Sequence, residues 1–152
     1  MSVNFTPSLS FRGNAREAME YYQSVFGGEL RVITYGDAGL TEHDAQPDQV
    51  MHAMLTGPVS LMAADVPESM EFTPGSSIAL SIWGDSADEA VFRDYFAKLS
   101  DGGSDLLPLN LAPWGDFYGQ VTDRYGFTWM IDFSAPEVPA DASSLLEGQQ
   151  PV

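Results

Sequence analysis

Residues 9–30, LSFRGNAREAMEYYQSVFGGEL, and residues 80–106, LSIWGDSADEAVFRDYFAKLSDGGSDL, follow one plan. Each runs Leu-Ser, an apolar residue, one further residue, Gly, a polar cap, a helical segment, then Gly-Gly and an acidic side chain. Leu9 and Leu80, then Gly27 and Gly102, set a period of about 71 to 75 residues. An internal repeat of this size decides how the intervening sequence is read.

In the first copy Asn14 is placed to cap a helix, with Glu17 three residues on as its partner. Ala15, Ala18, Met19, Tyr22 and Phe26 then recur at helical spacing as one apolar stripe, opposite Arg16, Glu17, Glu20 and Gln23. Gly27-Gly28 supplies a left-handed stop. In the second copy Ser86 and Glu89 read as a capping box, with Val91, Phe92, Tyr95 and Leu99 as the stripe and Gly102-Gly103 as the stop.

Three segments of strand character follow each helix. They span 29–35, 50–56 and 59–64 in the first half, the last two joined at Gly57-Pro58. In the second half they span 106–111, 118–122 and 127–133, with Asp123-Arg124-Tyr125-Gly126 as the final turn. Leading strands at 5–11 and 78–83 complete a βαβββ order twice. Segments 36–49 and 67–75 read as loops, and His43, in the acidic stretch Glu42-His43-Asp44, as part of a solvated turn. The expected organisation is one domain over 1–133, with module one at 1–66 and module two at 76–133. The tail, 134–152, carries Pro136, Pro139 and Pro151 among small polar residues and is expected to be loosely ordered.

Composition narrows the classes of function. The chain of 152 residues carries 22 acidic against 6 basic side chains, a formal charge of −16, with Lys98 its lone lysine. Such a field repels nucleic acid and anionic membrane surfaces, so neither is an expected partner. With 44% hydrophobic residues the chain can bury a core, and the absence of cysteine removes disulfides and thiolate chemistry. The opening Met1-Ser2-Val3-Asn4-Phe5 has no basic or apolar leader character, and no apolar run reaches the roughly 18 residues of a membrane span, so a cytoplasmic location is expected.

The tandem βαβββ order resembles the vicinal oxygen chelate superfamily, also called the glyoxalase, bleomycin-resistance and dioxygenase fold. Leu9-x-Phe11-x-Gly13-Asn14-Ala15-x-Glu17-Ala18, Tyr21-Tyr22 and Val25-Phe26-Gly27-Gly28 are similar to the opening of its PhnB-like branch. So are Met51-His52-Ala53, Asp65, Trp114-Gly115-x-x-Tyr118-Gly119 and Asp123-x-Tyr125-Gly126-x-x-Trp129-Met130-Ile131. The resemblance covers residues 5–133. It implies an α+β fold of paired modules forming an incompletely closed eight-stranded barrel with a central cup, and a homodimer. It also implies contexts of phosphonate utilisation and methyl transfer. The scattered Arg12, Arg16, Arg31, Arg93 and Arg124 form no evident phosphonate cluster, and no methyl-donor motif is present.

Metal-using relatives take four ligands, typically His and Glu, from the first, fourth, fifth and eighth strands. Placed on that pattern, this chain offers Pro7 (beside Thr6 and Ser8), the stretch 62–64, Ser77 and Met130. Hydroxyl and thioether groups are poor donors for such a cation, so no metal and no cofactor is expected. A substitute set of His52, Asp65 and Asp132 is conceivable, though strand-end Asp is ordinarily a turn or cap residue.

His52, on the apolar strand Met51-His52-Ala53-Met54-Leu55, is the best single polar candidate, as a ligand donor or a general acid/base. The alternative is a core histidine satisfied by a neighbour. Alternation puts Phe127, Trp129, Ile131 and Phe133 on one face of the last strand, under a helix, and Thr128, Met130 and Asp132 on the other. Trp114, Phe117 and Tyr118 form a turn-rich aromatic segment at an expected cup rim. The candidate ligand-binding set is therefore His52, Met54, Asp65, Trp83, Trp114, Phe117, Tyr118 and Met130. No catalytic residue is claimed; no nucleophile elbow, P-loop or dinucleotide fingerprint is found. Three readings stay open: metal-independent binding of a small molecule, a superfamily enzyme using His52 with acidic residues, and a dimeric scaffold or regulator.

Overall fold

The computed structural model describes residues 2–40 and 45–136. His43 and its neighbours, and the tail beyond residue 136, lie outside the described residues. The chain divides into two compact units, one ending at Ile78 and the other beginning at Ala79.

In the first unit β1 (Ser8–Phe11), α1 (Ala15–Phe26), β2 (Glu29–Thr34), β3 (Val50–Thr56) and β4 (Leu61–Asp65) follow the expected order. The sheet runs β1-β4-β3-β2, with β1 parallel to β4 and the other pairs antiparallel. Ala15, Ala18, Met19, Tyr22, Val25 and Phe26 of α1 are buried, together with Leu9, Phe11, Ala53, Leu55, Leu61 and Ala63 of the sheet. The helix stripe and the period-two strand pattern therefore meet in one core. Gly28 adopts φ 105°, and a Cβ there would run into the Thr56 carbonyl, so the double-glycine stop also serves the close return of β2 against β3.

Asn14 does stand at the N-cap of α1, but its side chain makes no capping bond. Asp65 takes that role from the end of β4. Its Oδ1 accepts from the Gly13 and Ala15 amides at 2.8 and 3.0 Å, and its Oδ2 from the Val50 amide at 2.8 Å. With two acceptor oxygens the Asp65 side chain satisfies the first-turn donors that the Asn14 side chain leaves unpaired.

The second unit repeats the plan with β5 (Leu80–Gly84), α2 (Glu89–Ser100), β6 (Ser104–Leu111), β7 (Asp116–Thr122) and β8 (Thr128–Ser134). Its sheet runs β5-β8-β7-β6, β5 parallel to β8. The final strand extends through Ser134, past the expected start of the tail. The expected capping box is replaced. Asp85 Oδ1 accepts from the Ala87 amide at 2.9 Å and opens a 3-10 turn over Ser86–Asp88 before α2 begins at Glu89. Glu89 instead pairs with Arg93 at 2.7 Å. Phe92, Tyr95 and Leu99 of the expected stripe are buried and Phe96 joins them, while Val91 at its margin is 43% exposed. Phe92, Phe133 and Phe117 stack at 5.2 Å between successive centroids, and the Arg93 guanidinium lies over Phe117.

Both sheets are four-stranded and mixed, each with one helix on one face, and neither is closed into a barrel. No helix among the described residues is long and apolar enough to cross a membrane.

Candidate functional site

Each sheet has one face covered by its helix and one that is not, and strand alternation sorts the candidates between them. In the first unit the uncovered face carries two rows: Ile33 paired with His52, and Arg31 with Met54, Met62 and Ser8. His52 is exposed and Met54 half-buried. His52 is thus not a core histidine beneath α1. Asp65 has the opposite placement. It is 3% exposed, on the helix side, and both oxygens are engaged by backbone amides.

In the second unit Trp83, Asp132, Tyr118 and Asn110 form one row across the uncovered face, and Ser81, Met130, Gln120 and Leu107 the next. Trp83 is 78% exposed. Trp114 meets Tyr118 edge-on at 5.5 Å between centroids, and Gln120 Nε2 donates to the Tyr118 hydroxyl at 2.7 Å. Leu107, Pro108, Asn110, Leu111, Trp114 and Tyr118 border a cavity of about 210 Å³ at the β6 edge. Trp83, Trp114, Tyr118 and Met130 therefore share a face, whereas Phe117 turns to the helix side and stacks on Phe133.

The sequence reading missed a carboxyl pair. Asp116 and Asp132 lie diagonally across β7 and β8, and their side chains are in hydrogen-bond contact. Burial raises the Asp132 carboxyl above its ordinary pKa, and the bond to Asp116 and that group's charge act the same way; a hydrogen bond from Trp114 opposes them. The signal was present in the sequence as two acids at matching parity on adjacent strands, but the register that makes them diagonal neighbours was not.

Asp123 resembles Asp65 in role. Its Oδ1 accepts from the Tyr125 and Phe127 amides and its Oδ2 from Trp129 Nε1 at 2.8 Å, which fixes the β7–β8 turn and the buried indole together.

The donor set does not fit the metal site of the resembled superfamily. Pro7 and Ser77 lie just ahead of β1 and β5, residues 62–64 in β4 are Met, Ala and Ala, and Met130 stands in β8. Among the described residues no three His, Cys, Asp or Glu side chains gather to hold a metal ion.

Comparison with known proteins fits this geometry. Residues 3–132 match the family model described as 3-demethylubiquinone-9 3-methyltransferase. The protein PA1353 from Pseudomonas aeruginosa is 33% identical, with 88% of this chain and 98% of that one covered and a TM-score of 0.75. The PhnB protein from Bacillus cereus, described as a putative 3-demethylubiquinone-9 3-methyltransferase, is 26% identical over 87% of this chain and all of that one, at a TM-score of 0.68. Protein YjdN of Escherichia coli is 28% identical over 140 residues, 84% of this chain and 92% of that protein. A glyoxalase/bleomycin resistance protein/dioxygenase from Nocardioides, at 18% identity and a TM-score of 0.52, shares the fold. The chain belongs to the family described as 3-demethylubiquinone-9 3-methyltransferase, and the PhnB protein from B. cereus is among the proteins it is similar to.

Proposed function

We propose that this chain binds a small molecule without using a metal, on the uncovered face of its second unit. The observation that carries the reading is the placement of Trp83, Trp114 and Tyr118 on that face, Trp114 62% exposed and lining the cavity with Tyr118, and Trp83 78% exposed two strands across from Tyr118. Exposed indoles beside a concave apolar wall cost solvation unless a ligand or partner covers them. Met130 supplies an adaptable thioether next to them. His52, exposed beside Ile33 and Met54 on the first unit, is a further polar group open to a ligand.

The family model and the B. cereus relative both carry the name of a demethylated ubiquinone, so a neutral methoxyphenol is a fitting first probe. 2-Methoxyphenol should bind saturably in calorimetry and quench tryptophan emission. Trp83→Ala should weaken binding by about three- to tenfold, the range for one aromatic contact. Saturable binding indifferent to both Trp83→Ala and Trp114→Ala, or no binding at all, would refute the proposal.

A second reading, a metal-free enzyme of the superfamily, is favoured by the proton that Asp132 retains above the ordinary carboxylate range. That is the property of a general acid.

A further inference from the structure

We infer that the aromatic face of the second unit takes an organic cation, a protonated or quaternary amine bearing a small apolar or planar group, with Asp116 and Asp132 as its counter-charge. The inference rests on the binding reading above and adds the charge of the ligand. The cavity wall supplies Leu107, Leu111, Trp114 and Tyr118, and the last two touch the carboxyl pair or its row. Asp132 sits between Trp83 and Tyr118 by direct strand register, so an indole and a phenol flank the carboxyl on either side. Carboxylate beside aromatic faces is the combination that recognises ammonium, by direct charge and by the ring quadrupole.

No basic side chain of the unit serves that pair. Arg93 lies with Glu89 and over Phe117 on the helix side, Lys98 with Asp94, and Arg124 with Asp101. The groups facing Asp132 are Asp116 and Tyr118 of β7, Trp83 of β5, Asn110 of β6 across Tyr118, and Trp114 of the preceding turn. A neutral ligand would leave the two neighbouring carboxyls without a counter-charge. A cation placed between the rings and the pair supplies it.

The test compares benzyltrimethylammonium with benzyl alcohol, by calorimetry and tryptophan quenching at about 0.15 M salt, where the long-range field is damped. The cation should bind about tenfold more tightly, the equivalent of about 1.4 kcal/mol. The double variant Asp116→Asn/Asp132→Asn should lose that preference while keeping the weaker affinity for benzyl alcohol. Glu17→Gln/Glu20→Gln removes the same charge from α1 and should keep the preference. Should the Asn variant fail to fold, Trp83→Leu replaces it: the cation should weaken more than the alcohol, because an aliphatic side chain keeps apolar contact and lacks the quadrupole. Equal affinity for the two probes overturns the cation while leaving the binding face standing. Loss of preference in both charge variants assigns it to the general field and overturns the site. Binding of neither probe overturns both.

Discussion

At the residue scale two aspartates hold turns and a third ionises less readily than an ordinary carboxyl. Asp65 gives its lone pairs to three backbone amides in a place 3% exposed, so truncation would strand buried donors that water cannot reach. Asp65→Ala should cost about 3–5 kcal/mol in denaturant unfolding, the sum of a few unsatisfied buried groups. A loss under about 1 kcal/mol would mean those amides find other partners. Asp132 behaves in the opposite sense. Its folded-state pKa lies above the ordinary 3.8, so its favourable contribution is complete below that value and is lost as pH rises through the raised one. Asp132→Asn never acquires the charge. The melting temperature of the variant relative to the native chain should therefore climb as pH is raised from about 3.5 to 7, and a flat or falling difference would contradict the raised Asp132 pKa.

At the element scale the second helix shows how a local rule is overridden. Ser86 and Glu89 satisfy the capping-box pattern, yet Asp85, one residue earlier, accepts the Ala87 amide and starts a 3-10 turn instead. The helix keeps Phe92, Tyr95 and Leu99 in the core as expected, with Phe96 beside them and Val91 at the exposed margin. Phe96→Ala should therefore cost about 3–4 kcal/mol and Val91→Ala less than about 0.5, which thermal or urea unfolding would resolve. Equal costs would place Val91 in the core beside Phe96. The same contrast measures what the sequence discloses. The repeat, all eight strands, both helices and the burial of Trp129, Ile131 and Phe133 were legible, because periods of two and 3.6 residues are set by burial along one element. The site was legible only in pieces. Trp83, Trp114, Tyr118 and Met130, named as ligand-binding candidates, share a face, whereas Phe117, named with them, faces the helix side. Asp116 was missed for a related reason. Its partner lies on another strand, and cross-strand register is a property of pairs that neither strand's own sequence states.

At the scale of the whole molecule, donor chemistry and edges make the remaining expectations. Pro7, Ser77 and Met130 fall near three of the positions where the resemblance implies metal ligands, so protein purified without chelators should carry no stoichiometric zinc, iron, nickel or manganese in elemental analysis. One equivalent of any of them would overturn the metal-free reading. Assembly follows from the sheets. β6 is the outer strand of its sheet, eight residues long, and Leu106, Leu107 and Leu111 along it are 56%, 45% and 60% exposed. A strand with open hydrogen-bonding groups and exposed leucines invites uncontrolled pairing, and Pro108 within it blocks only one donor. Covering such an edge with a second copy removes the hazard and buries the leucines. Against this stands the charge of −16, which doubles on association and pushes like copies apart. Short-range burial should win once salt screens the repulsion beyond about 8 Å. The expected species at micromolar concentration and about 0.15 M salt is a homodimer of twice the 16.5 kDa chain mass in light scattering, dissociating as salt is withdrawn. Replacing Leu106, which lies on the same strand outside the cavity wall, by lysine should shift it to monomer while circular dichroism stays unchanged. A native chain that scatters as a monomer across the salt series would show that the edge is tolerated bare.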